Sequence, residues 1–451
     1  MSRHRFLSDA VSCFPPLPSG WREERIHDVV DLRTSNVDKK SEEGEKAVRL
    51  CNYVDVYKNA KVTMAIDFME ATATDAQIDR FSLRIGDVVI TKDSETPDDI
   101  GVPALIAETA PDLVCGYHLT ILRPNENAVE GGYLLYAVAS RLSAYQFYLA
   151  ANGVTRFGLT YQGTKNLRIA LPSVPEQQKI ASFLDWKTGQ IDELTARKQE
   201  LLEKLKEKRL AVITQAVTRG LNPAVPLRDS GIPWLGQVPK HWEVRRLKFT
   251  ASERLKYGAN ESAESDDPDC PRYIRITDIK EDGTLHEDTF RSLPPELAEP
   301  YLLQDGDLLL ARSGATVGKT FQYLQTWGEA AYAGYLIRFR VDPTLLSARF
   351  AYYFLRSKFY WACINASLIQ ATIQNFSAEK YADINVPLPP LKEQDQIVAE
   401  LEKQKAMTDK LEDAISQAIV RLTEYRRALI TAATVGKIDV RNVTIPQKPV
   451  A

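Results

Sequence analysis

Leu171-Pro-Ser-Val-Pro-Glu-Gln-Gln-Lys-Ile180 and Leu388-Pro-Pro-Leu-Lys-Glu-Gln-Asp-Gln-Ile397 are two versions of one signal. In each, an apolar run ending in Leu-Pro gives way to Glu-Gln and then to a long stretch without proline. Gln177 and Gln394 stand 217 residues apart. Working outward, Pro18-Ser-Gly-Trp21 answers Pro239-Lys-His-Trp242, with the tryptophans 221 residues apart. Ile85-Gly-Asp-Val-Val-Ile90 answers Asp305-Gly-Asp-Leu-Leu-Leu310 at a shift of 220, and Gly116-Tyr117 answers Gly334-Tyr335 at 218. The landmarks keep their order, so the chain is a duplication. A period this long exceeds the roughly 20 to 50 residues of solenoid repeats, and each copy must be a domain plus a connecting element.

The parts expected are an N-terminal extension over 1–17, a mixed α/β domain over 18–171, a helical spacer over 172–222, a second mixed domain over 223–388, a second helical spacer over 389–437, and a tail over 438–451. In the domains, Asp87–Thr91, His118–Leu122, Arg272–Thr277, Asp307–Ala311 and Tyr335–Phe339 read as strands, being short, β-branched or apolar runs bounded by Gly or Pro. Tyr133–Leu149 and Arg349–Cys363 have helical spacing. Glu176–Thr218 and Glu393–Thr434 hold no proline and read as long helices, opened by Pro172 and Pro175 or by Pro389 and Pro390, and closed by Gly220 and Gly436. Leu401, Thr408, Leu411, Ile415, Ala418, Leu422, Tyr425 and Leu429 form a heptad stripe, matched by Leu184, Ile191, Leu194, Leu201, Leu205 and Val212 and interrupted at Lys198 and Lys208. A helix of about 40 residues is roughly 60 Å long, and one with a single apolar stripe needs a partner. The expected fold is of the α+β class, with two pseudo-repeated mixed α/β domains separated by two long antiparallel coiled-coil helices in a pseudo-symmetric dumbbell.

The 451 residues carry 57 Lys+Arg against 60 Asp+Glu, and 44% are hydrophobic, a globular composition of two to four domains. No stretch approaches the roughly 18 to 20 apolar residues of a membrane span, and Met1–Asp9 is charged where a signal peptide is apolar, which predicts a cytoplasmic protein without membrane contact. A domain that grips nucleic acid alone is usually strongly basic. At a net charge of -3, this chain would share any such work with partners.

Much chemistry is missing from the pattern. Cys13, Cys51, Cys115, Cys270 and Cys363 are scattered, with no Cys-x-x-Cys, and His4, His27, His118, His241 and His286 stand singly, so neither disulfides nor a zinc site are expected. Arg312-Ser-Gly-Ala-Thr-Val-Gly-Lys-Thr320 is one residue short of a phosphate loop and precedes a strand instead of a helix. Asp269, Asp278 and Lys280 loosely imitate a metal-dependent nuclease cluster, but the counterpart Asn52–Lys58 keeps only Asp55, as a structural aspartate would be kept. Trp21 and Trp242 read as core anchors. The chain is expected to bind rather than catalyse, and to hold no metal.

Together these features resemble the specificity subunit of type I restriction-modification systems. The resemblance runs from about Pro18 to Asn442. It is carried by Ile169–Ile180, Val386–Ile397, Ser230-Gly-Ile-Pro-Trp-Leu-Gly236 with Pro239–Trp242, and Leu50–Asn59, which resembles the opening of a target recognition domain. It implies a non-catalytic subunit that recognises a bipartite double-stranded DNA sequence, one half-site per recognition domain, with a gap set by the helical spacer. Two methyltransferase (modification) subunits would dock on the helices and restriction and translocase subunits would join. S-adenosylmethionine, ATP and Mg would belong to those partners, and this chain would bind no cofactor. Two readers on one spacer must match the DNA repeat of about 34 to 36 Å per turn.

Direct readout favours basic and amide side chains in loops. The candidates are Thr91 and Lys92 with their counterparts Arg312 and Ser313, and the polar loops at Thr155-Arg156 and at Gln370, Thr372, Gln374 and Asn375. Lys204, Lys206, Arg209, Arg426 and Arg427 on the helices are candidates for holding partner subunits. A duplicated protein-binding scaffold, and a standalone nuclease using Asp269, Asp278 and Lys280, are the competing readings.

Overall fold

The computed structural model describes residues 14–280, 283–368 and 375–446. The chain divides into two compact units, one made of the residues up to Lys198 with those from Gln417 onward, the other of Gln199–Ser416. Two long helices, α1 (Val174–Arg219) and α2 (Leu391–Thr434), each contribute one part to each unit. Both begin two residues before the expected glutamate. Pro175 sits in the first turn of α1, where no N–H is needed, and the Ser173 carbonyl accepts from Glu176 and Gln177 N at 2.9 Å. Gly220 and Gly436, at φ +75 and +73, end the helices in the left-handed conformation that suits glycine.

In the first unit, β1 (Val88–Thr91), the short β2 (Asp93–Ser94) and β3 (Leu119–Pro124) set the frame. A five-stranded sheet runs Val30–Thr34, β3, β1, Pro103–Ile106, Lys61–Val62. Its two faces feed separate cores, because alternate residues of a strand point to opposite sides. Val88 and Ile90 join Tyr133, Leu134, Phe147 and Leu184, whereas Val89 and Ile121 join Leu50, Val114 and Phe81. A hairpin of β4 (Ala151–Gly153) and β5 (Phe157–Leu159) is tied to this frame through β2.

The second unit repeats the scheme with β6 (Leu308–Ala311) and β7 (Leu336–Phe339) in a four-stranded sheet. Thr91 pairs with Leu119 and Ala311 with Leu336. The expected Gly116–Gly334 equivalence is therefore off by one, and Ala333 occupies the place of Gly116. Each glycine answers its own close approach: a Cβ at Gly334 would lie 2.1 Å from Asn260 Oδ1, and one at Gly116 would lie 2.9 Å from the Cys51 carbonyl oxygen.

Two expected helices are each broken in two. Gly131–Val138 is followed by Arg141–Ala150, and Ala348–Phe354 by Lys358–Leu368. A serine starts each second piece, since Ser140 Oγ accepts from Ser143 N and Ser357 Oγ from Tyr360 N, both at 3.3 Å. Arg272–Thr277 is likewise cut short: the strand ends at Ile274 and a 3-10 turn spans Ile276–Asp278.

The helices run antiparallel within each unit. In the first, Asp192 meets Arg426 at 2.8 Å and Lys179 Nζ donates to the Arg441 carbonyl oxygen at 3.3 Å. In the second, Arg209 meets Asp409 at 2.9 Å and Gly220 faces Glu393. The stripe differs from the expected one. Leu194, Leu201, Leu411 and Tyr425 remain 43 to 55% exposed. Of the expected α2 positions, Leu401, Thr408, Ile415, Ala418, Leu422 and Leu429 are covered, and Lys405, Glu412, Ile419, Arg426 and Ala433 are covered too, while the covered positions of α1 include Lys198, Leu202, Leu205 and Arg209. At two steps of the α2 seam the covered residue lies one later than hydropathy places it, Glu412 for Leu411 and Arg426 for Tyr425. Among the described residues no helix is long and apolar enough to cross a membrane.

Candidate nucleic-acid interface

In the first unit β1 ends at Thr91, a fully buried residue whose hydroxyl accepts from Val102 N at 3.0 Å. Thr91 thus braces the sheet and presents nothing to a ligand. Lys92 follows. Its N–H donates to the His118 carbonyl at 3.0 Å and its own carbonyl accepts from Leu159 N at 2.7 Å, so its backbone is held between β3 and the hairpin. The next residue, Asp93, takes His118 Nδ1 at 2.6 Å, and the His118 ring lies 3.7 Å from that of Tyr117. The hairpin turn leaves Val154, Thr155 and Arg156 exposed at its tip.

The second unit repeats these two backbone bonds. Arg312 N donates to the Tyr335 carbonyl at 3.0 Å, and the Arg312 carbonyl accepts from Phe376 N at 2.8 Å. Ser313 forms a bridge with Asn375, as β2 pairs with β5. The Arg312 guanidinium lies 4.7 Å from the centre of the Tyr257 ring and donates to the Gly334 carbonyl at 3.3 Å, while its Nε is buried without an acceptor among the described residues. Tyr257 is fixed in turn, its hydroxyl accepting from Ala378 N at 2.9 Å. Gln370, Thr372 and Gln374 lie outside the described residues.

Two segments about 60 residues apart in sequence therefore meet in each unit: Lys92 with the Thr155-Arg156 hairpin, and Arg312-Ser313 with Asn375. Sequence reasoning missed His118 and Tyr335, the residues that receive Lys92 and Arg312. Tyr335 is 65% exposed. The signal that marks them is the strand ladder, which periodicity alone does not display.

Of the nuclease-like residues, Asp278 has a structural task, shared by its counterpart Asp55. The Asp278 carboxylate, 1% exposed, accepts from Arg275 N at 2.8 Å and from the Arg275 guanidinium at 2.7 and 3.1 Å. Asp55 does the same for Asn52 N at 2.7 Å. Each aspartate closes a capping box. Lys280 is tied by its backbone to Thr284. Gly318-Lys319-Thr320 runs into the strand Thr320–Gln322, as expected for a loop that does not open a helix. Burial raises the thiols of Cys51 and Cys115 above the ordinary cysteine range.

The Leu-Pro–Glu-Gln signal gains a physical reason. Gln177 Oε1 accepts from Glu130 N at 2.8 Å and its Nε2 donates to the Ala128 and Pro172 carbonyls, both at 2.9 Å. Gln394 repeats this with Ser347 N, Leu345 and Pro389 at 2.7, 2.9 and 2.9 Å. A fully buried glutamine thus clamps each long helix to its domain. Trp242 is buried, with Nε1 donating to Glu393 at 3.1 Å, and Trp21 is partly buried against the first core.

Of the helix cations, Arg209 and Arg426 belong to the seam. Lys204 and Lys206 lie exposed beside Glu200 and Glu203 at 2.5 and 2.8 Å, and Arg427 is exposed on α2.

Comparison with known proteins converges on one family. The model for the type I restriction modification DNA specificity domain matches residues 18–204 and 239–421. The StySPI specificity subunit of Salmonella potsdam is 25% identical over 363 residues, which cover 78% of this chain and 74% of that protein. The EcoKI specificity subunit of Escherichia coli K12 is 24% identical over 366 residues, covering 78% and 75%. A chain from a structure concerned with complex assembly and conformational transition of the type I R-M system has a TM-score of 0.72 at 18% identity, covering 94% of this chain and 100% of that one. For the HsdS subunit of Thermoanaerobacter tengcongensis the TM-score is 0.52 at 18% identity, covering 94% and 99%. The two structures support the fold, and the family match, which takes in most of the residues of both copies, makes this chain a member of the type I restriction modification DNA specificity family.

Proposed function

We propose that this chain is the sequence-recognition subunit of a type I restriction-modification complex, reading one half of a bipartite duplex target with each unit. The observation that carries the reading is the repeated pair of backbone bonds that sets Lys92 beside the Thr155-Arg156 hairpin and Arg312 beside Asn375. The first unit thereby offers Lys92 and a polar hairpin on one fixed frame, and the second offers Arg312 and Asn375, which suits a reader combining phosphate anchoring with base-edge contacts.

The chain supplies the address and no chemistry of its own. Two modification subunits dock on α1 and α2, where Lys204, Lys206 and Arg427 stand exposed. They bring S-adenosylmethionine, and restriction and translocase subunits bring ATP and Mg. The complex works in the cytoplasm, and the partners provide much of the phosphate neutralisation that a chain of net charge -3 lacks.

The test is co-expression with the modification subunits, followed by sequencing of host DNA for modified bases. A new bipartite motif that depends on this chain supports the reading. A stable complex with no motif favours the protein-binding scaffold instead.

A further inference from the structure

The β4–β5 hairpin is unlike the other edges of the first unit. Ala151 pairs with Leu159, Asn152 with Gly158 and Gly153 with Phe157, so only Val154, Thr155 and Arg156 form the turn. Gly153 has φ +142, and a Cβ there would fall 1.9 Å from the Arg156 carbonyl oxygen, so the turn is closed too tightly for any other residue. Immediately after the turn, Phe157 and Gly158 of β5 pair with Ser94 and Asp93 of β2, which braces the tip on a three-stranded sheet beside Lys92. The tip side chains are spent on nothing internal. Val154 is 90% exposed, and Arg156 has no hydrogen-bond or ion-pair partner among the described residues. A single exposed valine is ordinary on a protein surface. Three consecutive free side chains on a braced turn are not.

The dimensions suit one ligand surface. The turn joins strands about 4.8 Å apart, and its tip is narrower than the major groove of B-DNA, about 12 Å wide. In that groove the features that distinguish bases are the thymine methyl group, an apolar target, and the O6 and N7 acceptors of guanine, a target for a guanidinium.

Resting on the DNA-recognition reading above, we infer that the tip of this hairpin, Val154–Arg156, enters the major groove, with Val154 against a thymine methyl group and Arg156 on the O6 and N7 of a guanine close by in the same half-site. Lys92, at the base of the ribbon, faces the phosphate backbone.

The test uses the full complex with its modification subunits and a synthetic duplex carrying the motif found by modified-base sequencing. Each thymine is replaced in turn by uracil, which lacks the methyl group, and each guanine by 7-deazaguanine, which lacks N7. Binding is compared for the wild type, Val154→Ala and Arg156→Ala. In the wild type, one uracil weakens binding about fourfold, the worth of a buried methyl group. One 7-deazaguanine in the same half-site weakens it roughly 5- to 150-fold. Val154→Ala abolishes the first discrimination and Arg156→Ala the second, while thermal unfolding of both variants matches the wild type. Variants that discriminate as the wild type does, or sensitive positions lying in different half-sites, overturn the inference and leave the recognition reading intact. A wild-type complex with no sequence preference overturns both.

Discussion

Asp87 receives Nε and Nη2 of Arg123 at 2.9 and 2.7 Å, and 220 residues later Asp307 receives the same two atoms of Arg340, both at 2.7 Å. Each aspartate also accepts a backbone N–H from the turn before it, from Arg84 and from Gln304. The repeated Gly-Asp motif is thus a buried ion pair that joins the start of a central strand to the far end of its neighbour. Both aspartates are 1% exposed.

Removing one partner leaves a guanidinium with little access to water. Asp87→Ala is expected to cost the first unit about 3 to 5 kcal/mol, and Asp307→Ala to cost the second less, because Arg340 keeps Glu253 at 3.1 Å. Hydrogen exchange reads the two units separately. Loss of protection spread evenly over both units in either variant would count against two independent pairs.

The glutamine clamp gives a smaller and more local effect. Gln177→Ala orphans the Glu130 N–H and two carbonyls, for about 1 to 3 kcal/mol. The expected signature is faster exchange of the Glu130 amide, with the amides around Ser347 and Gln394 unchanged. If the Glu130 amide stays protected, the clamp has another occupant.

Glu253 should make the second unit acid-sensitive. Lys256 bonds its carboxylate, with Arg338 Nη2 and Arg340 Nη1 at 2.8 and 3.1 Å, and together they hold it below the ordinary glutamate range despite partial burial. A depressed carboxylate contributes stability in full above its unfolded value of about 4.3, and that contribution fades as pH falls through the lower folded value. Denaturation midpoints of the wild type should drop below about pH 4.3, and Glu253→Gln should remove part of that slope while being less stable at pH 7. Parallel acid profiles for the two proteins would assign the slope to other groups.

On the proposed reading, Tyr257 acts on DNA binding through Arg312. It holds the Arg312 guanidinium from below, so Tyr257→Leu frees that side chain at a cost of about 1 kcal/mol, roughly fivefold in affinity. Lys92→Ala should act differently, lowering the slope of log affinity against log salt by about 1 with little change in sequence preference. Binding titrations of the assembled complex at several salt concentrations separate the two. Identical salt slopes in wild type and Lys92→Ala would remove Lys92 from the phosphate contacts.

What was readable in the chain depended on how locally it is encoded. The duplication, the long helices and the strand runs around Asp87 and Asp307 show in spacing and hydropathy alone. Thr155 and Arg156 stood out as a polar loop, but Gly153 and Val154 acquire meaning only once the turn closes and β2 pairs with β5. Lys92 and Arg312 were visible as equivalent basic positions, but their neighbours His118 and Tyr335 depend on the ladder register. Thr91 was misleading for the opposite reason, since a polar residue at a strand end can serve the sheet as readily as a ligand.

The helix seam was misread on physical grounds that yield a last prediction. Hydropathy favours Leu411 and Tyr425, yet the covered positions are Glu412 and Arg426, with Arg209 set between Asp409 and Glu412 at 2.9 and 4.0 Å. Half-buried ion pairs in a seam are weak sources of stability, and replacing such a pair with apolar residues of similar volume is often neutral or favourable by about 1 to 4 kcal/mol. The double substitution Arg209→Met with Asp409→Leu should therefore match or exceed the wild type in stability, whereas Arg209→Ala alone should lose stability by leaving Asp409 and Glu412 facing each other. Lys204→Ala and Lys206→Ala, which break exposed pairs within one helix, should change stability by less than about 0.5 kcal/mol. Any loss of modification-subunit binding in these two lysine variants then reports docking and not unfolding. If Arg209→Ala is as stable as they are, Arg209 is not a seam residue, and its place among the docking candidates is restored.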